Sequence, residues 1–256
     1  MKTAIIVGAA GGIGKAVAIA LATKGYALAL IDCNEAALQS LVAEISDIQQ
    51  KLQKQGKITT PKLLSFPLNI VNGTQVRAVF QDILKSLGQI DLLFSSAGIF
   101  ALDANLTPSD AEKLHNVNYF GNLNCVNTIL PVMREAKHGQ IIVICSRGAV
   151  FPRAGAGFYS GSKAALQNTL ESLAKSAIGD RVKITTINPA ITNTPMASIS
   201  SIPPEEMIQT NDIAQTVKYL LKLSQGAIIN SLTIACGLDM QKIAEAETGS
   251  AYKKRI

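Results

Sequence analysis

Short apolar runs rich in β-branched residues alternate with longer stretches of helical periodicity along the whole chain. The runs are Ala4 to Val7, Ala27 to Ile31, Leu63 to Phe66, Leu92 to Phe94, Ile141 to Ile144, Val182 to Ile187 and Ile228 to Ile234. Most are continuously apolar, as expected of strands covered on both faces. Between them, Gly12 to Lys24, Asn34 to Lys54, Thr74 to Ser86, Ser109 to Arg134, Tyr159 to Ile178 and Asn211 to Leu223 read as helices. Regular alternation of this kind predicts a three-layer, doubly wound α/β fold around a seven-stranded parallel sheet. Thr74 and Asn211 are expected to cap their helices, because their side-chain oxygens can accept from first-turn amides. The polar stretch Gln49 to Thr60 reads as a helix end and surface loop, so residues 1–256 are expected to form one domain.

Composition narrows the function. Of 256 residues 48% are apolar, enough for a core that needs no metal or disulfide. The longest apolar runs, such as Ala16 to Ala22 and Ile141 to Cys145, fall far short of the roughly 20 residues of a membrane span. The start Met1-Lys2-Thr3 leads straight into a strand and a glycine loop, with no leader-like apolar region, so a cytoplasmic location is expected. Cys33, Cys125, Cys145 and Cys236 form no Cys-x-x-Cys pair, and His115 and His138 stand alone, so no metal centre is expected. Cys145 reads as inert packing and the two histidines as surface or capping residues. The net charge of +6 is partly local, in Lys51, Lys54, Lys57 and Lys62 and in the tail Lys253-Lys254-Arg255. With only 5% aromatic residues the stacking platforms of a nucleic-acid binder are missing, and the charge reads as solvated surface.

Two patterns carry chemistry. The first strand runs into Gly8-Ala9-Ala10-Gly11-Gly12-Ile13-Gly14, and a helical pattern follows at once. Glycines let the backbone turn tightly and approach a pyrophosphate, while the helix start offers free amides. Asp32 stands at the end of the second strand, eighteen residues after Gly14, where a carboxylate can accept from adenosine ribose hydroxyls and repel an added phosphate. That placement favours NAD over NADP, although Asp32 could also be a helix cap beside the equally suitable Asn34. The second pattern is Tyr159-Ser160-Gly161-Ser162-Lys163, which sets Tyr159 and Lys163 on one helix face. Bringing a phenol from pKa ~10 to about neutrality takes ~4 kcal/mol, which a lysine, a cationic cofactor ring and hydrogen bonds could share.

These patterns occur in a fixed order with four others: Ser95-Ser96-Ala97-Gly98 after the fourth strand, Asn118 in a helix, Ser146 after the fifth strand and Asn188-Pro189 after the sixth. Ser146 lies 13 residues before Tyr159, and Asn118 lies 28 before Ser146. The whole resembles the short-chain dehydrogenase/reductase family, whose fold is Rossmann-like. The resemblance implies an NAD(P)-dependent oxidoreductase interconverting a secondary alcohol and a ketone. Tyr159 would be the general acid/base, Ser146 would bind the substrate oxygen, and Lys163 would hold the nicotinamide ribose. Asn118 would position a water that links the lysine to solvent. It further implies that Gly8, Gly12, Ile13, Gly14, Asp32, Asn69, Ala97 and Gly98 line the adenosine and pyrophosphate side, and that Pro189, Ile191 and Thr194 flank the nicotinamide. A homodimer or homotetramer is implied too, and the small apolar face of Ala164, Ala165, Leu166, Leu170, Leu173 and Ala177 would suit either that or packing on the sheet.

Supporting positions depart from the family pattern. Val7 replaces a usual Thr, Ser95-Ser96 replace Asn-Asn, Asn69 replaces a frequent Asp, Ala190 replaces Gly, and Cys236-Gly237-Leu238 replace Asp-Gly-Gly. All four catalytic positions are intact. Gly11, where NADP-using relatives commonly carry a basic residue, again points to NAD, whereas Lys15 just beyond it does not. Two alternatives stand beside the dehydrogenase: an NADPH-dependent 3-oxoacyl-(acyl-carrier-protein) reductase and a non-catalytic dinucleotide-binding sensor or scaffold. The segment Met196 to Gln209, which covers the substrate in the family, leaves the substrate itself undetermined.

Overall fold

A computed structural model of the protein describes residues 1–240 except 60, 153 and 239. The basic tail lies outside the described residues. Seven parallel strands form one sheet: β1 (Thr3–Val7), β2 (Ala27–Asp32), β3 (Leu63–Pro67), β4 (Leu92–Ser95), β5 (Gly139–Ile144), β6 (Val182–Pro189) and β7 (Ser231–Ile234). Their order is β3-β2-β1-β4-β5-β6-β7, so the winding reverses between β1 and β4. The expected doubly wound α/β architecture is therefore observed, with β7 shorter at its start than its apolar run.

Alternate residues of each strand enter opposite faces, which is why continuous apolar runs were needed. Ala4, Ile6, Leu28, Leu30 and Phe94 pack on one side with Leu21, Leu38 and Val217, from helices α1 (Gly12–Ala22), α2 (Glu35–Lys54) and α7 (Thr210–Leu220). Ile5, Val7, Ala29, Leu93 and Val143 pack on the other with Phe80, Ile129 and Leu170. Those three come from α3 (Gly73–Leu87), α5 (Asn122–Glu135) and α6 (Gly157–Ala177), while the short α4 (Pro108–His115) precedes α5.

Several local expectations change. The cap of α3 is Asn72, whose side chain accepts from the Gln75 amide at 3.1 Å, and α7 is capped by Gln209 in a reciprocal pairing with Asp212. Thr74 and Asn211 lie inside their helices instead, because the chain turns two residues earlier at each site. The long helix expected from Ser109 to Arg134 is interrupted by a π-helical turn, Asn116–Gly121. Leu166, Leu170 and Ala177 of α6 are buried against the sheet, so half of the six residues of that face belong to the core. The lysines at 51, 54, 57 and 62 are exposed, as expected of a solvated surface. Among the described residues no helix is long and apolar enough to cross a membrane, and no cluster of His, Cys, Asp or Glu could hold a metal ion.

Candidate active site and nucleotide cleft

The carboxyl ends of β1 and β4 flank the reversal of strand order, the place where open parallel sheets leave a crevice. Here the glycine loop leaves β1. Gly8 has φ +72°, and a Cβ on it would stand 2.8 Å from the Ala97 amide nitrogen. A Cβ on Gly14 would stand 1.9 Å from the Gly8 carbonyl oxygen, so no other residue fits either position. Gly11 is the N-cap of α1 and offers no side-chain cap, which leaves first-turn amides free at this end of the helix. A glycine cradle with uncapped amides fits a dinucleotide pyrophosphate.

Asp32 closes one side of this loop. One carboxylate oxygen accepts from the Ala10 amide at 3.0 Å and the other from the Asn34 amide at 2.9 Å. The cap of α2 is Asn34, which accepts from the Ala37 amide at 3.1 Å, so Asp32 stays at the cleft. Asn69 is exposed at the end of β3 and accepts from the Val71 amide at 3.1 Å. On the other side Thr194 approaches the loop: a Cβ on Gly12 would lie 2.7 Å from its methyl group. Ile13 and Ile191 pack on the core beneath, and Pro189 is buried at the end of β6.

The departure at Ser95-Ser96 is absorbed by specific bonds. Ser96 Oγ donates to the Val7 and Gly8 carbonyls, both at 3.3 Å, tying β4 to the glycine loop. Ser95 Oγ donates to Asn122 Oδ1 at 2.6 Å, and Asn122 Nδ2 donates to the Ala97 carbonyl at 3.1 Å and the Asn118 carbonyl at 3.0 Å. Asn122 was invisible to motif reading. Its burial beside an otherwise apolar helix face is the one signal that could have found it.

Asn118, Ser146, Tyr159 and Lys163 are brought together by β4, the π turn, β5 and α6. Asn118 is fully buried; its Oδ1 accepts from the Ile99 amide at 2.8 Å, and its Nδ2 donates to the Ile99 carbonyl at 2.9 Å and to Ser162 Oγ at 3.1 Å. The π turn widens the helix at this point and aims the amide at the β4 loop. A Cβ on Gly98 would lie 3.1 Å from both Asn118 Oδ1 and Lys163 Nζ, so a larger residue there would press on both side chains. Lys163 Nζ donates to the Ile144 carbonyl at 3.1 Å.

Ser146 accepts from the Gly148 amide at 3.0 Å, and its hydroxyl lies near enough to the Tyr159 phenol to favour the phenolate. Phe100 packs edge-on against the Tyr159 ring at 4.8 Å. Burial pushes the phenol above its ordinary pKa, with the neighbouring Ser146 hydroxyl opposing. Burial likewise pushes Lys163 down. In the protein alone, desolvation is the largest influence on the tyrosine. Burial also raises the Cys145 thiol to about 12, which fits inert packing. His138 lies at the surface, 2.8 Å from Asp91 Oδ1, away from this cluster.

A dinucleotide cleft beside a serine, tyrosine and lysine defines a nucleotide-dependent oxidoreductase. The short chain dehydrogenase family model matches residues 2–202, and the chain belongs to that family. It is 28% identical over 236 residues to an uncharacterised oxidoreductase of Staphylococcus saprophyticus, covering 91% of this chain and 96% of that one. A betaketoacyl-ACP reductase from Bacteroides thetaiotaomicron superposes with a TM-score of 0.81 at 27% identity, covering 94% of this chain and 100% of the other. An alcohol dehydrogenase from Thermococcus sibiricus, complexed with 5-hydroxy-NADP, superposes with a TM-score of 0.78 at 25% identity, covering 91% and 96%. The protein is thus an NAD(P)-dependent dehydrogenase/reductase.

Proposed function

We propose that the protein interconverts a secondary alcohol and a ketone with NAD(H), using Tyr159 as general acid/base. The observation that carries this reading is the gathering of Tyr159, the Ser146 hydroxyl and the buried Lys163 and Asn118 beside an uncapped glycine loop. Gly8, Gly12, Gly14, Ala97 and Gly98 would hold the dinucleotide, with Asp32 and Asn69 at the adenosine end and Ile13, Pro189, Ile191 and Thr194 walling the cleft. When bound, a nicotinamide dinucleotide supplies or removes the hydride. In reduction, Tyr159 Oη gives its proton to the carbonyl oxygen, and the new O–H bond leaves a phenolate. Ser146 donates to the same oxygen as charge gathers on it.

Lys163 then stabilises the phenolate and, with its ammonium pKa lowered by burial, is poised to return a proton. Both amide protons of Asn118 are committed to Ile99 and Ser162, so its proposed link to solvent would run through an oxygen of this residue. Asp32 and Gly11 support NAD; the NADP-type ligand of the Thermococcus relative supports the other choice. The Bacteroides relative supports a second reading, reduction of 3-oxoacyl groups on acyl-carrier protein. The same reading takes residues 1–256 as one domain of a cytoplasmic homo-oligomer, with Phe120 and Phe158, 52% and 48% exposed, available for assembly.

The test is turnover of acetophenone, cyclohexanone, ethyl acetoacetate and an acetoacetyl-acyl-carrier thioester, each with NADH and NADPH, repeated on Tyr159→Phe. Reduction of a free ketone with NADH, lost in the variant, is expected. Turnover of the carrier thioester alone with NADPH would move the assignment to the second reading. Cofactor binding without turnover of any substrate would make the protein a sensor.

A further inference from the structure

The catalytic helix begins badly by its own sequence. Its N-cap position is Ala156, which has no side-chain acceptor, so the first-turn amides of α6 find no local partner. The acceptor comes from more than fifty residues away. Asp103, in the loop after β4, accepts from the Gly157 amide at 2.5 Å through one carboxylate oxygen and from the Phe158 amide at 3.2 Å through the other. Its own amide donates to the Gly155 carbonyl at 2.8 Å, so the two segments are bonded in both directions.

The next residue after Phe158 is Tyr159. The loop that supplies Asp103 also supplies Phe100, edge-on to the Tyr159 ring, and Ile99, whose amide and carbonyl both bond Asn118. One short segment therefore grips the tyrosine by its ring and by the backbone just before it. We propose that Asp103 is a positioning residue for the reaction: it fixes the first turn of α6 against the β4 loop and so keeps the Tyr159 phenol in register with Ser146.

This inference rests on the role proposed for Tyr159, and part of its test needs no substrate. Full-length Asp103→Ala, Asp103→Asn and the double variant Asp103→Ala with Ala156→Ser are compared with the wild type. The readouts are kcat and KM for the best ketone of the panel, the NADH dissociation constant and Tm. Two more are the ring carbon resonance of labelled tyrosine, assigned with Tyr159→Phe, and amide exchange at Gly157 and Phe158.

In Asp103→Ala, kcat is expected to fall about tenfold or more, since small misplacements of a reacting group carry penalties of that order. NADH binding stays within about twofold, the Tyr159 resonance moves, and both amides exchange faster. Asp103→Asn, which keeps one anionless acceptor, falls between. In the double variant a local serine cap restores Tm while kcat stays low. A lower Tm with unchanged kcat and an unmoved Tyr159 resonance would make Asp103 a helix cap and nothing more, overturning the proposal. The proposal is equally overturned if Asp103→Ala does not fold and Asp103→Asn matches the wild type in kcat and resonance. If Tyr159→Phe keeps full turnover, the catalytic reading falls, while the resonance and exchange data still report whether Asp103 places Tyr159.

Discussion

Within β4 the character of the interior changes over a single residue. Leu92, Leu93 and Phe94 are fully buried among apolar side chains, and Ser95, equally buried, opens a polar interior that also contains Asn118, Asn122, Ser162 and Lys163. The apolar part is held by many small, non-directional gains, and volume-conserving exchanges there are tolerated. The polar part is held by a few directional bonds, each satisfying a group whose burial would otherwise be unfavourable. The first part fixes where the strand ends are. The second uses that fixed edge to aim a phenol, a hydroxyl and an ammonium at one cleft.

The sharpest separation of the two parts should come from Tyr159→Phe, which removes one oxygen. Turnover is expected to fall by a factor on the order of 100 to 10,000, with Tm nearly unchanged. Steady-state rates and a melting curve on the same preparation read both. Phe94→Ala should do the reverse, lowering stability by roughly 3–5 kcal/mol in denaturant titration while the folded fraction retains its kcat. Asn122→Ala sits at the border. Leaving Ser95 and the Ala97 carbonyl without their buried partner is expected to lower stability by about 1–3 kcal/mol and to reduce kcat as well. A loss confined to stability would place Asn122 with the apolar part.

Lys163→Met probes the same border by sign. Among the described residues Lys163 has no carboxylate partner, and burial lowers its pKa. The folded state therefore releases this proton before the unfolded chain does, so wild-type stability should rise as pH climbs from the lowered value toward ~10.4, the ordinary lysine value. Tyr159 acts oppositely: its raised pKa keeps the proton in the folded state, and that contribution is lost as pH rises past ~10 and through the raised value. Lys163→Met should abolish turnover, leave Tm at neutral pH equal or higher, and remove the rise. Melting curves against pH for both proteins check it. The smallest effect belongs to Asn34→Ala, a helix cap outside both parts, at about 0.5–2 kcal/mol in denaturant titration with no change in kcat.

Much of this molecule was legible from local pattern, because strand and helix periodicities follow directly from which residues must be buried. The glycines of the first loop, Asp32, and the Tyr159 and Lys163 pair were visible for a related reason: each needs a particular residue type at a particular backbone position. The π turn at Asn118 was not, since the helical pattern from Ser109 to Arg134 runs straight through it, while the bonds from Asn118 to Ile99 join it to a segment outside that pattern. The caps at Asn72 and Gln209 were missed because two neighbouring polar residues compete for such a role, and the path of the chain decides between them.

The sequence by itself determined the layered fold, the nucleotide loop and the Tyr159 and Lys163 pair, which depend on spacings of a few residues, while Asn118 and Ser146 were candidates through the order and longer spacings of the family pattern. Only the tertiary structure decided what surrounds them: Asn122 bridging the β4 loop and the π turn, Phe100 against Tyr159, and Asp103 capping a helix whose own cap is an alanine. Those contacts join segments more than twenty residues apart, and a hydrogen bond or a ring contact leaves no periodic trace in either segment. Burial made the difference as well, since it raised the phenol and lowered the ammonium by excluding water, a quantity that exists only once the chain has folded.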